Sequence, residues 1–170
     1  MTIRPLTHAD LAFVSALGIS SKATWGYSEQ EMSVFRTELT LSETSVQELM
    51  AAEVAVINNE IVGYFTIRRH ADGVVELEHL FVAPHRFGRG IGSALLRKAR
   101  VTAGSLGEPT LKVIADPNSA GFYERTGATL VGNHKSSIPG RTIPIYEILT
   151  VTGEEEQGVA GQSADRAQSK

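Results

Sequence analysis

The chain has 170 residues, 42% of them hydrophobic, and a formal net charge of −3, which suits one domain with a real core. The acidic balance argues against a nucleic-acid partner, whose recognition shows as a basic patch or stripe. With no cysteine, disulfides, thiolate-ligated zinc and any chemistry that parks an acyl group on a protein thiol are excluded.

The opening MTIRPLTHADLAFV lacks the apolar run of a signal peptide, and no uncharged stretch is long enough to cross a bilayer. The expectation is a soluble, cytoplasmic protein with no membrane partner. Thr7 with Asp10, followed by Leu11, Val14 and Leu17, predicts a capped amphipathic helix after a short strand. Ser28 and Glu31 repeat that capping pattern ahead of Met32, Phe35 and Leu39, with Trp25, Gly26 and Tyr27 in the intervening loop. A third short helix is expected through Val46 to Met50.

From Glu53 the texture changes. Val54 to Ile57, the Asn58-Asn59 turn and Ile61 to Ile67 predict a β-hairpin. His70 to Gly73 reads as a further turn, and Val74 to Val82 as a third strand that passes through Pro84 into a glycine-rich loop and a helix over Ile91 to Ala103. Leu111 to Ala115 is the next strand, Ser119 to Thr126 a short helix ended by Gly127, and Leu130 to Thr150 a last strand or hairpin. Residues 1–150 therefore read as one α/β domain with a mostly antiparallel start. The polar segment after Thr150 is poor in large apolar residues, so 151–170 is expected to be a disordered tail.

The sharpest signal is Arg86-Phe87-Gly88-Arg89-Gly90-Ile91-Gly92-Ser93, set between a strand and a helix. Closely spaced glycines let a backbone approach a ligand, and the amides of a helix N-terminus favour an anion, so the loop reads as a phosphate cradle to which Arg86 and Arg89 add charge. A P-loop would need Gly-Lys-Ser/Thr, which is absent. A dinucleotide fingerprint would place an acidic residue about 20 positions on, which falls in a loop near Gly107-Glu108. About 30 residues downstream a second block runs from Asn118 through Tyr123 to Ala128.

Together, ELEHLFVAPHRFGRGIGSALL and LKVIADPNSAGFYERTGATLVG resemble the GNAT superfamily of acetyltransferases, and TIRPLTHADL resembles that family's first strand and helix. The resemblance implies a central, mostly antiparallel mixed sheet flanked by helices and splayed between strands 4 and 5. It implies acetyl-CoA as cosubstrate, its pyrophosphate on the loop Phe87, Gly88, Arg89, Gly90, Ile91, Gly92 and Ser93, and its pantetheine arm added like a strand beside Leu80, Phe81 and Val82. Tyr123 is then placed to reach the thioester sulfur, and a homodimer is the family's usual assembly. Two departures stand out. Phe87 occupies a position where the family often has Arg or Gln, and the family's frequent Asn falls on Asp116, so the cofactor contact is carried to Asn118 instead.

Aminolysis of a thioester needs a neutral amine, and an alkyl ammonium titrates near about 10.4, so a proton acceptor is required. Glu78 is the candidate base, directly or through water, against the reading of a solvated or salt-bridged carboxylate. Strict alternation puts Glu76 and Glu78 on one face and His79 on the other, unless a bulge intervenes. Tyr123 is the candidate acid toward the departing thiolate, against the reading of an aromatic packed into the core. Trp25 and Tyr27 either line the acceptor site or anchor the core, and Arg141, after Ser137 to Gly140, reads as a solvated turn residue or as a partner for an acidic group. His8, His70, His85 and His134 show no metal-ligand spacing, so no metal is expected. The expected activity is acetyl transfer to a primary amine, of a small molecule or peptide, by direct attack in a ternary complex. The alternative is a noncatalytic CoA or acyl-CoA sensor.

Overall fold

The structure is a computed structural model that describes residues 1–136 and 141–152. Ser137 to Gly140 and the tail from residue 153 on lie outside the described residues. Strand β1 (Thr2–Pro5) leads through a 3-10 turn at His8–Asp10 into helix α1 (Leu11–Ala23), followed by α2 (Glu29–Leu39) and α3 (Glu43–Gln47). Strands β2 (Leu49–Ile57), β3 (Glu60–Arg69) and β4 (Val75–Val82) come next, then a 3-10 turn at Pro84–Arg86 and helix α4 (Ile91–Ser105). Strand β5 (Thr110–Ile114), a 3-10 turn at Pro117–Ser119, helix α5 (Ala120–Arg125) and the hairpin β6 (Thr129–Lys135) and β7 (Thr142–Leu149) complete the order.

The capping signals work as the sequence predicts. Thr7 donates both its amide and its hydroxyl to Asp10 Oδ2, at 2.8 and 2.7 Å, and Ser28 and Glu31 form a reciprocal box at the start of α2. Asn58 and Asn59 both take positive φ, 50° and 64°, as a two-residue hairpin turn requires. The third helix lies earlier than expected. Ser42 and Ser45 cap each other, and the helix stops at Gln47 because Leu49 to Glu53 are drawn into β2, where they pair with β3 and, at Glu53, with β1. Tertiary pairing here overrides the helix propensity of Leu-Met-Ala-Ala-Glu.

The seven strands lie in the order β1-β2-β3-β4-β5-β7-β6, and every neighbouring pair is antiparallel except β4 and β5. Helices α4 and α5 cover one face, with Leu95, Leu96, Ala99 and Tyr123 packed on Phe65, Ile67, Leu77 and Leu111. Helix α1 covers the other, setting Val14 and Leu17 against Val54 and Tyr64. Past β7, the Val151 amide donates to Arg100 O on α4 at 3.2 Å. Among the described residues no helix is long and apolar enough to cross a membrane.

Gly63 on β3 is pinned where a Cβ would sit 2.7 Å from the Phe81 carbonyl oxygen and 2.8 Å from Leu95 Cδ1. The Phe81 carbonyl cannot yield without moving β4, and Leu95 must turn its side chain within a fully buried site. Gly63→Ala should therefore destabilise the fold by about 1–3 kcal/mol, read as a lowered midpoint in urea with an unchanged slope.

Candidate active site

Strands β4 and β5 run parallel and are bonded through a single residue pair, Glu76 with Lys112. Beyond that pair they separate, and a cleft of about 1380 Å³ opens between them. Leu80, Phe81 and Val82 line it. On the β3 side they pair with Phe65, Tyr64 and Gly63, while no pairing to β5 accompanies them. This free edge is what an extended, amide-bearing ligand needs.

The glycine loop lies at the end of β4. Gly88 and Gly90 take φ of 73° and 76°, conformations that favour glycine and turn the backbone into the start of α4. Among the described residues, the amides of Gly88 to Ser93 donate to no protein acceptor, and the first bond of the helix runs from Ala94 N to Gly90 O at 3.0 Å. A row of outward amides at the N-terminus of a fifteen-residue helix is a physical fit for a phosphate group. Phe87 is 44% exposed and lines the cleft. Arg89 is exposed. Arg86 is not the free charge expected of it, for its Nη2 is held by Glu60 Oε2 at 2.6 Å.

The β4 strand carries a bulge that decides where its polar residues face. Thr66 pairs with His79 but Ile67 pairs with Leu77, leaving Glu78 as the extra residue. The expected alternation is thereby corrected: Glu76, Glu78, His79 and Phe81 all stand on the α1 side, while Val75, Leu77, Leu80 and Val82 join the core under α4. Glu78 is ion-paired, its Oε1 accepting from Arg68 Nε at 2.7 Å, and its Oε2 is buried with no partner. His79 is buried with Nδ1 unpartnered, and burial holds its imidazole below its usual value, so the ring is neutral at pH 7. The buried Tyr64 hydroxyl and Thr66 Oγ1 share this unsatisfied polar seam. Glu76 is tied to His70 Nε2 at 2.8 Å, and His85 to Glu60 at 2.8 Å.

Tyr123 sits on the opposite wall. It is 6% exposed, packs within the core under α4 and stacks on Tyr146 at 5.8 Å between ring centroids. It also lines the cleft, so packing and cleft placement coexist in one residue. Burial pushes its phenol well above the usual range and keeps it protonated at neutral pH.

At the far end of the cleft four side chains meet on one carboxylate. Asp116, just beyond β5, accepts from Lys22 Nζ at 2.6 Å, Tyr27 OH at 2.6 Å, Arg141 Nη2 at 3.1 Å and Asn118 Nδ2 at 3.0 Å. Arg141 also donates to the Tyr27 hydroxyl, and its guanidinium carbon lies 4.8 Å from the Tyr27 ring centroid. Lys22 Nζ stands 4.3 Å from the Phe35 centroid. Arg141 is therefore no solvated turn residue; its acidic partner belongs to the chain itself. Asn118 lines the cleft with its amide engaged by Asp116 and Tyr27. Trp25, 41% exposed, and Tyr27 fall on the same side, but only Trp25 lines the cleft. Burial and the Asp116 hydrogen bond push the Tyr27 phenol up to about 12.

Lys22 and Asp116 are 94 positions apart, and neither stands in a local motif that announces the pairing. Burial would raise the Asp116 carboxyl, but hydrogen bonds from Lys22 and Tyr27 outweigh it and hold the group below the ordinary carboxylate range. A folded-state value below the unfolded about 3.9 means that the resulting stabilisation is present at neutral pH and is lost as the pH falls through the folded value. Asp116→Ala strands Lys22 and Arg141 without their carboxylate and should cost on the order of 3 kcal/mol at pH 7, with a flatter acid limb in urea unfolding from pH 7 to pH 3.

A family model described as an acetyltransferase (GNAT) domain matches residues 49–127. Among solved structures the fold is similar to a GCN5-related N-acetyltransferase from Rhodopseudomonas palustris, at 22% identity and a TM-score of 0.72, over 87% of this chain and 94% of that one. It is similar also to the PaiA N-acetyltransferase from Thermoplasma acidophilum in complex with coenzyme A, at 22% identity and 0.68, over 87% and 98%. A third is the ribosomal-protein-S18-alanine N-acetyltransferase from Escherichia coli, at 19% and 0.64, over 90% and 96%. No curated protein sequence matches the chain. The matched segment takes in the strand pair, the glycine loop and the Tyr123 helix, so residues 49–127 match a GNAT acetyltransferase domain, and the splayed sheet around them has the fold of these acetyltransferases.

Proposed function

We propose that the protein is an N-acetyltransferase that moves the acetyl group of acetyl-CoA to a primary amine, by direct attack within a ternary complex. The observation that carries this reading is the convergence, along one cleft, of a free strand edge at Leu80 to Val82, unpaired loop amides at Gly88 to Ser93 and the Tyr123 phenol. The PaiA relative is in complex with coenzyme A, and the residues present here fit that ligand. The loop amides take the pyrophosphate, the edge of β4 takes the pantetheine amides, and Asn118 stands at the cleft wall near the acyl end.

The acceptor enters from the side of α1 and α2, past Trp25. Its ammonium must lose a proton before its nitrogen attacks the thioester carbonyl. Glu78 takes that proton, directly or through water, on the Oε2 that its Arg68 ion pair leaves unpartnered. Because the bulge turns His79 to the same side, a second reading has the neutral imidazole as acceptor, favoured by the hold of Arg68 on Glu78. Tyr123, kept protonated by burial, donates to the departing thiolate. A small-molecule or peptide amine serves as acceptor, and a homodimer in the cytoplasm is the expected working form.

Tyr123→Phe should lower kcat by about 100-fold while leaving the CoA Kd unchanged. Glu78→Gln should flatten the acid limb of the kcat/KM pH profile, with His79→Gln leaving it in place. The reverse pattern would give the proton to His79, and CoA binding with no thiol released from acetyl-CoA across a panel of amines would make the protein a noncatalytic sensor.

A further inference from the structure

Phe87 gives the loop no side-chain donor at a position where the family that the chain resembles often has Arg or Gln, and a guanidinium stands beside it. Glu60 is the first residue of β3, next to the tight Asn58-Asn59 turn. Its two carboxylate oxygens are used separately. Oε1 bonds His85 Nε2 at 2.8 Å and Oε2 accepts from Arg86 Nη2 at 2.6 Å. A single side chain thus grips two consecutive residues of the 3-10 turn that feeds the glycine loop, and the Arg86 amide secures the same turn by donating to Ala83 O at 2.9 Å.

The Arg86 guanidinium is left with donors to spare. Nη1 bonds no described residue, and the side chain, 23% exposed, forms part of the cleft wall beside Gly88 and Gly90, while Nε is buried without a partner and out of a ligand's reach. A guanidinium answered at one nitrogen only, its direction fixed by a carboxylate held on its other side by a histidine, is built to complete its hydrogen bonds on an anion with several oxygens. Because Glu60 cancels its net charge, the contribution is directional rather than long-range.

We infer that Arg86 is a pyrophosphate-binding residue of this chain in place of the donor that Phe87 lacks, and that Glu60 is the positioning residue that aims it. The inference rests on the CoA reading given above. Isothermal titration of CoA into the wild type, Arg86→Gln, Arg86→Lys, Glu60→Gln and the double Gln variant tests it, with circular dichroism to check each fold. Arg86→Gln should raise Kd about tenfold and Glu60→Gln about threefold. The double variant should match Arg86→Gln alone, because Glu60 acts only through Arg86. Arg86→Lys, which keeps charge but loses the planar fork, should sit near threefold and decides the matter if the Gln variant fails to fold. A Kd for the folded Arg86 variant within 1.5-fold of wild type overturns the assignment, and losses that add in the double variant overturn the role of Glu60. A wild type that does not bind CoA at all defeats the functional reading beneath both.

Discussion

The parting of β4 from β5 is the constraint on which the rest of the molecule depends. One bonded pair, Glu76 with Lys112, holds two parallel strands together at their start and lets them diverge afterwards. A parallel connection needs a crossover, and α4 supplies it, which sets the helix N-terminus at the end of β4, where the gap opens. The anion-favouring amides and the free strand edge therefore meet as a consequence of topology. The antiparallel β5–β7–β6 unit then turns Tyr123, stacked on Tyr146, toward the same opening from the other side. Close packing at Gly63 keeps β4 and α4 in register with each other while the far side of β4 stays free.

Local signals in the sequence carried most of the fold. Capping residues, the Asn-Asn turn and the glycine loop each act through neighbours a few positions away, and each element they mark is present. Leu49 to Glu53 misled because their intrinsic preference is helical while their fate is set by β1 and β3 on either side. The bulge at Glu78 could be raised from the sequence only as a condition, since strict alternation has no way to signal one extra residue. That residue reverses the relation between Glu78 and His79 and so changes which groups can share a proton. Arg68, Glu60 and Lys22 were not legible at all as site residues. Each matters through a partner 10 to 94 positions away, and such distances leave no periodic trace.

The two departures from the family pattern, Phe87 and Asp116, look in the sequence like losses. In the structure each has charged neighbours, Arg86 with Glu60 beside Phe87, and Lys22 with Arg141 on Asp116. An Asn in place of Asp116 would offer one neutral acceptor, too little for Lys22 and Arg141 together. A carboxylate so little exposed is costly unless its oxygens are filled, and Asp116 fills them with two cations, a phenol and an amide drawn from α1, the loop before α2, the β5–α5 connection and the residue before β7. Once filled, it ties α1 and the loop before α2 to the strand end from which the Tyr123 helix starts. Glu60 does the same on a smaller scale for the other end of the cleft, taking two donors from one turn. In both places an anion of the chain fixes cationic side chains whose remaining donors border the cleft. The cleft between them is thus framed by preset hydrogen-bond geometry and not by net charge, which is what the proposed binding of a polyanionic cosubstrate would require of an acidic chain.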